Sequence, residues 1–146
     1  MTVVLDANVL YQALRSAGGA SHFILGLIRQ RKIRMALSVP VFLEYQDLLK
    51  REKSRKDLGL SLKETKFILE FIAYIAVPYT PFFSFRPNLK DESDNIYVEL
   101  ALTANAEYLI TSNIKDFTRE KELTFDDLNV VTPADFVVQW RKNHEK

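Results

Sequence analysis

The chain has 146 residues, of which 47% are hydrophobic and 27% charged, a composition that predicts one globular domain, residues 1–146, and excludes a disordered chain. Lysine and arginine number 20 against 19 aspartates and glutamates, so the net charge of +1 excludes a global attraction to nucleic acid or acidic lipid. The absence of cysteine excludes disulfides and thiolate zinc sites, and two histidines are too few for an imidazole metal site.

Short apolar segments alternate with segments of helical periodicity along the chain. The predicted strands are Val3–Leu5, Ile33–Ser38, Tyr74–Val77, Tyr108–Thr111 and Leu128–Val131. The predicted helices are Ala7–Leu14, Ser21–Gln30, Pro40–Arg51, Leu62–Ala73, Ser93–Asn105 and Pro133–Lys142, with a charge-rich linker at 50–56 and a proline-containing loop at 78–90. Strands separated by helices pair in parallel, so we expect an α/β fold, a three-layer α/β/α sandwich with a central parallel sheet of about four to five strands.

The sequence contains no recognisable targeting or membrane segment. The first predicted strand leaves no room for a signal peptide, and no apolar run reaches the roughly 20 residues that a membrane-spanning helix needs. We therefore expect a cytoplasmic protein that does not bind membranes.

Acidic and amide side chains are predicted at one edge of the sheet. In an open parallel sheet, the functional crevice lies outside the carboxyl ends of the strands. Asp6 directly follows the fully apolar first strand, and Glu44 lies in the early turns of the helix after the second. Asp94 lies at the start of the helix before the fourth strand, and Asn113 and Asp116 follow that strand. We expect these side chains to converge.

Several inward-facing carboxylates need a compensating charge, because like charges a few ångströms apart raise one another's pKa values. No lysine, arginine or histidine is adjacent to Asp6 or Asp94 in the sequence. A site made only of oxygen ligands selects a hard cation, here Mg²⁺ or Mn²⁺. Such a metal orients and polarises a phosphodiester and activates a water. The residues therefore indicate metal-assisted phosphodiester hydrolysis.

The ordered motifs resemble those of PIN-domain nucleases, and more narrowly the toxin components of toxin–antitoxin pairs. The matching segments are Val3–Leu10, Val41–Glu44, Asp91–Asn95, Tyr108–Asn113 and Lys115–Phe117. The resemblance implies an endoribonuclease dependent on Mg²⁺ or Mn²⁺, often dimeric and often neutralised by a small antitoxin.

The resemblance also implies roles for particular residues. Asp6, Glu44 and Asp94 correspond to the acids that bind metal and support catalysis in the family. Many members carry an aspartate where this chain has Asn113, which is a neutral oxygen ligand. Asp91 or Asp116 is a candidate to supply the missing negative charge.

Substrate contacts are predicted near the same motifs. Asn8 is expected to fix the turn after the first strand and orient Asp6, while Thr111 and Ser112 are candidate phosphate donors. Arg15 is a nearby candidate cation for RNA. Two basic clusters, residues 29–34 and 50–56, are further candidates for contacts with a phosphate backbone.

Simpler roles remain open for several of these residues. Asp6 could cap the helix that follows it, and Asp91 is equally suited to a helix N-cap or to the metal site. The main functional alternative is a PIN-fold RNA-binding or regulatory module with weak or no catalysis. A Mg²⁺-binding sensor domain is a third possibility, although its opening acids normally come as a pair.

Overall fold

The computed structural model describes residues 1–81, 92–115 and 128–144, with the side chains of 92–94 excluded. Within these residues, five strands form one parallel sheet in the order β3-β2-β1-β4-β5. The strands are β1 Thr2–Leu5, β2 Arg34–Leu37, β3 Val77–Pro78, β4 Tyr108–Ile110 and β5 Asn129–Val131. The α/β class and the parallel sheet expected from the sequence are confirmed.

Seven helices are seen within these ranges. They are α1 Ala7–Arg15, α2 Ala20–Arg29, α3 Val39–Lys50, α4 Glu52–Leu58, α5 Leu62–Ile75, α6 Glu92–Thr103 and α7 Pro133–His144. Helices α1 and α2 connect β1 to β2, and α3 to α5 connect β2 to β3. The chain passes from β1 to β2 to β3 in one direction across the sheet and then returns to β4 on the other side of β1. Because the crossovers are right-handed, this reversal places α6 on the face opposite to α1–α5. Helix α7 packs against α2.

The central strand β1 owes its position to an uninterrupted apolar sequence. Val3, Val4 and Leu5 are fully buried, as a strand covered on both faces requires. They pair with Tyr108, Leu109 and Ile110 of β4, while Thr2 and Val3 pair with β2. The carboxyl end of β1 therefore lies in the middle of the sheet edge.

The charge-rich segment at 50–56 is helical except at Arg51, which separates α3 from α4, so its prediction as a linker was wrong. Helix α4 places Ser54 in the interior, and Gly59 follows the helix in a left-handed conformation with φ 68°. The Lys56 ammonium also lies 3.4 Å from the Glu52 carboxylate one turn away. The sequence did not indicate this short helix, because most of its residues are charged and Ser54 is its buried residue.

The predicted strand beginning at Tyr74 was also wrong at its start. Helix α5 continues to Ile75, and the Ala76 N–H still donates to the Ile72 carbonyl at 3.0 Å. Strand β3 is limited to Val77–Pro78. The packing of Leu69 and Ile72 in the core outweighs the local β-propensity of the Tyr74–Val77 segment.

Most of the predicted 78–90 loop lies outside the described residues, as does the segment from residue 116 to residue 127 between β4 and β5. In the described part of the chain, no helix has both the length and the apolar composition needed to cross a membrane.

Candidate active site

Asp6 leaves the carboxyl end of β1 and stands at the N-cap position of α1. Its backbone is extended, with φ −61° and ψ 147°, and its carbonyl accepts hydrogen bonds from the Val9 and Leu10 N–H groups. The Asp6 side chain, however, makes no capping hydrogen bond, and the residue is only 7% exposed. The simpler hypothesis, that this carboxylate caps α1, was therefore wrong, and its burial needs another explanation.

Thr111 fixes the Asp6 carboxylate from the neighbouring strand. The Thr111 hydroxyl donates to Asp6 Oδ2 at 2.8 Å, and the Asn113 backbone N–H donates to the Thr111 hydroxyl oxygen at 3.0 Å. The Asp6 N–H donates to the Ile110 carbonyl at 3.0 Å, continuing the pairing of β1 with β4. A hydroxyl has one proton to donate. Thr111 is fully buried and gives its proton to Asp6, so it acts as a positioning residue.

Helix α3 brings Glu44 to the same edge through its neighbour Tyr45. The fully buried Tyr45 hydroxyl donates to the Leu5 carbonyl at 2.5 Å, which places this turn of α3 against the end of β1. Glu44 is half-buried beside it, as predicted for a residue flanking an apolar stripe. The buried face of α3 consists of Val41, Tyr45 and Leu49, with Leu48 only half-buried.

Helix α6 approaches the site from the other side. The Tyr97 hydroxyl accepts a hydrogen bond from the Ala7 N–H at 3.2 Å, and both Tyr97 and Asn95 are buried. Asp94 precedes Asn95 in this helix, so its backbone lies at the same edge of the sheet as Asp6. The Asp94 side chain, Asp91 and Asp116 lie outside the described part of the structure.

A family comparison matches this arrangement of strands and helices. The model of the PIN domain matches residues 2–115, which include β1 to β4 and α1 to α6. The chain belongs to the PIN-domain family. The resemblance to the PIN-domain family, predicted from the sequence motifs, is confirmed.

Two individual proteins are similar to this PIN domain. The uncharacterized protein MJ1680 of Methanocaldococcus jannaschii is 29% identical over 147 residues, covering 96% of this chain and 92% of that protein. The solved structure of VapBC2 from Rickettsia felis bound to a DNA fragment from their promoter matches with a TM-score of 0.56 and 21% identity. The match covers 89% of this chain and 98% of the other. At this identity, the structural likeness shows a shared fold.

The predicted substrate residues are not all at this edge of the PIN domain. Asn8 is exposed in the first turn of α1, and Ser112 and Asn113 are exposed after β4. Arg15 is the last residue of α1, about 13 Å along the helix axis from Asp6 at about 1.5 Å per residue. The Arg15 Nε lies 3.4 Å from Asp57 Oδ2, a carboxylate oxygen that also accepts from the Tyr11 hydroxyl. Arg15 therefore lies well away from the buried carboxylate.

The described side chains do not by themselves form a metal site. Among them, no three histidine, cysteine or acidic residues form a group able to hold a metal ion. Asp6, Glu44 and Asn113 are the predicted metal ligands whose side chains the structure describes. Asp6 and Glu44 belong to elements that meet at the end of β1, and Asn113 follows β4. Their carboxylate oxygens fit a hard divalent cation.

Sequence reasoning missed the structural roles of Tyr45 and Tyr97. Tyr45 was expected only as part of an apolar stripe, whereas its hydroxyl fixes the end of β1. Tyr97 does the equivalent for the start of α1. A buried tyrosine usually has a hydrogen-bond partner, so a tyrosine in an otherwise aliphatic stripe is a usable signal. The sequence cannot name the partner, because it lies about 40 or 90 residues away in the chain.

The Tyr45 hydrogen bond leads to a prediction about stability in alkaline solution. Burial, followed by the charges of Tyr97 and Asp6, raises the pKa of Tyr45 well above its ordinary value of 10.0. An unfolded tyrosine loses its proton above about pH 10 while folded Tyr45 keeps it, so the free energy of unfolding should fall as pH rises above 10. We expect the contribution of Tyr45 to this slope to approach about 1.4 kcal/mol per pH unit.

Tyr45→Phe isolates this contribution. At pH 7 the variant should lose about 1–2 kcal/mol, because the hydroxyl that donates to the Leu5 carbonyl is absent. Between pH 10 and 11 its stability should fall less steeply than that of the wild type. Urea unfolding at pH 7, 10 and 11 measures both effects, and Tyr74→Phe, at an exposed tyrosine, is the matched control. Equal alkaline slopes in the wild type and Tyr45→Phe would contradict the assignment.

Proposed function

We propose that this PIN-domain protein is a metal-dependent endoribonuclease that hydrolyses RNA phosphodiester bonds. The observation that carries the proposal is the Asp6 carboxylate, which is buried at the end of the central strand, does not cap α1 and is fixed by Thr111. Burying a carboxylate costs free energy unless a cation or hydrogen-bond donors compensate for its charge. In this PIN domain, a divalent cation would provide that compensation.

Asp6, Glu44 and Asp94 would hold Mg²⁺ or Mn²⁺, with Asp91, Asn113 or Asp116 completing the site. When bound, the cation would polarise the phosphodiester and lower the pKa of an attacking water. The contribution of Thr111 is to keep the Asp6 carboxylate in one orientation, as partners of metal-binding side chains commonly do. Tyr45 keeps the strand end in place. Hydrolysis is expected to leave a 5′-phosphate on the product.

The RNA would approach along the exposed end of the sheet. Asn8, Ser112 and Asn113 are exposed there and are candidates for contacts with the ribose–phosphate backbone. Arg15 would contact a neighbouring nucleotide and not the phosphate that is cleaved, because it lies at the far end of α1. Releasing Arg15 from Asp57 for this contact costs little, since both side chains are partly exposed.

We also infer that the whole chain, residues 1–146, acts as one PIN-like unit, the toxin of a toxin–antitoxin pair in the cytoplasm. The support is the match of fold to VapBC2, whose structure is described as bound to a promoter DNA fragment. A small antitoxin protein is the expected partner, and a homodimer the expected assembly. Purification of the protein with the product of a neighbouring gene, followed by light scattering, would test both expectations.

The catalytic proposal is tested by incubating the purified protein with single-stranded and structured RNAs in the presence of Mn²⁺ or Mg²⁺. We expect cleavage products with 5′-phosphates, no cleavage in EDTA, and restored cleavage when metal is added back. DNA oligonucleotides of the same sequences serve as controls for the substrate class. Absence of cleavage throughout a broad RNA panel with either metal would contradict the enzymatic proposal.

One observation favours a second candidate, a PIN-fold RNA-binding module with little catalytic activity. Asn113 is exposed and neutral where many family members have an acid, so the negative charge of the site is reduced. Titration of Mn²⁺ into the wild type and Asp94→Ala by calorimetry distinguishes the two candidates. Binding by the wild type that Asp94→Ala greatly weakens supports the nuclease, whereas RNA binding without measurable Mn²⁺ binding supports the module.

A further inference from the structure

A cavity of about 650 Å³ lies between α2 and α7, away from the Asp6 site. Asp6 follows the carboxyl end of β1, whereas this cavity is lined by Arg29, at the end of α2, and Lys32, just before the start of β2. Helix α7 starts after β5 and contributes His144, its last residue, to the lining. The cavity therefore lies towards the amino ends of the strands. Its volume is within the range of pockets that bind small molecules, about 300–1,000 Å³.

The cavity lining is positively charged. Arg29 and Lys32 belong to the basic cluster at residues 29–34, and no described residue of the lining is acidic. Neither cation forms an ion pair with another described residue. The turn that carries Lys32 is ordered by its backbone, because the Lys32 N–H donates to the Leu27 carbonyl at 3.0 Å. Two cations in one concave surface, with no ion-pair partner in the described part of the chain, favour an anionic ligand.

Both histidines of the chain line this same cavity. The Nδ1 atoms of His22 and His144 lie 3.0 Å from the carbonyls of Ala13 and Trp140. Since a carbonyl only accepts, each Nδ1 must carry the proton, which leaves Nε2 as the nitrogen available to a ligand. The His144 ring also stacks on Trp140, with ring centroids 3.6 Å apart and an angle of 10° between the planes. This aromatic wall is suited to stacking with a planar ligand.

Gly26 provides an independent indication that the cavity is kept open. It lies inside α2 and lines the cavity, and a Cβ atom added there would meet nothing within 4 Å. Glycine weakens a helix interior, and no close packing requires it at this position. A larger side chain at residue 26 would instead occupy the cavity.

We propose that the cavity between α2 and α7 binds a nucleoside 5′-phosphate group, from either a free mononucleotide or the end of an RNA chain. Arg29 and Lys32 contact the phosphate, since a guanidinium and an ammonium are its usual protein partners. The base stacks on the exposed His144 ring, which is itself stacked on Trp140. This site is separate from the Asp6 site, and the inference does not depend on the proposed nuclease activity.

The single tryptophan of the chain lines the cavity and reports directly on its occupancy. Titration of the full-length protein with AMP, excited at 295 nm, should change the Trp140 fluorescence saturably, and the imidazole NMR signals of His22 and His144 should shift. Adenosine should bind at least about 10-fold more weakly, because it lacks the phosphate. Lys32→Gln should weaken AMP binding about 5- to 10-fold, whereas Arg34→Gln, an exposed cation of the same cluster outside the cavity, should leave it unchanged.

Gly26→Leu provides a second test, in which the variant is expected to stay folded while the cavity is filled. Its unfolding temperature should equal or exceed that of the wild type, because leucine favours the helix, while AMP binding should be lost. Asp6→Asn should bind AMP normally, which separates this site from the proposed catalytic one. A 5′-phosphorylated RNA trinucleotide identifies the source: tighter binding than AMP indicates an RNA end, and equal or weaker binding indicates a free nucleotide. No response to AMP at 10 mM, equal binding of adenosine, or equal losses in Lys32→Gln and Arg34→Gln would overturn the proposal.

Discussion

Asp6→Asn is expected to lower the rate of RNA cleavage at least about 100-fold while leaving the fold intact. Asparagine has nearly the same volume as aspartate, and its carbonyl oxygen can accept the Thr111 hydroxyl proton that Asp6 Oδ2 accepts now. What the substitution removes is the negative charge. A divalent cation would then lose a charged ligand from the proposed group of Asp6, Glu44 and Asp94.

The measurement is single-turnover cleavage of one RNA at several Mn²⁺ concentrations, together with the unfolding temperature. Asp135→Asn is the matched control, because Asp135 is an exposed carboxylate in the first turn of α7 with no part in the Asp6 hydrogen bonds. We expect it to cleave like the wild type. A fully active Asp6→Asn variant would contradict the proposed metal-dependent mechanism. A variant that unfolds near room temperature would show instead that the carboxylate is structural.

Thr111→Val is expected to lower cleavage about 10- to 100-fold and the free energy of unfolding by about 1–3 kcal/mol. Valine fills the same space but has no hydroxyl, so both the Asp6 carboxylate and the Asn113 N–H lose a partner. The carboxylate would then meet the proposed cation in several orientations. We expect the Mn²⁺ concentration needed for half-maximal activity to rise, and high Mn²⁺ to restore part of the rate.

Thr111→Ser is the control because it keeps the hydroxyl and loses only a methyl group. It should retain the Mn²⁺ dependence of the wild type even if it is slightly less stable, since a buried methyl has been removed. Activity and Mn²⁺ dependence unchanged in Thr111→Val would show that the hydrogen bond to Asp6 is not used. Equal losses of activity in the serine and valine variants would point to packing as the cause.

The sheet and its order of elements could largely be predicted from the sequence because their signals are local. Apolar segments such as Val3–Leu5 are typical of buried strands, and the two glycines at 18–19 lie between α1 and α2. The errors occurred where tertiary packing overrode local preference. Helix α4 formed despite its many charges, and α5 continued through Tyr74 because its other face is packed in the core.

The sequence singled out the acids of the candidate site but not the residues that hold them in place. Asp6 and Glu44 stood out because carboxylates at the carboxyl ends of parallel strands gather at one edge. The role of Thr111 did not, because the sequence only placed a hydroxyl at a strand end and could not show that it donates to Asp6, 105 residues away. The roles of Tyr45 and Tyr97 were hidden for the same reason.

The sequence by itself determined the α/β class, the parallel sheet and the membership of the PIN-domain family, because each depends on residue types repeated at short spacing. Only the tertiary structure decided that the Asp6 carboxylate does not cap α1 and that Thr111 holds it. Tertiary structure alone also placed both histidines, Lys32 and the single tryptophan around one cavity. Hydrogen bonds and cavities join residues that are distant in the chain, so their geometry exists only once the strands and helices have packed.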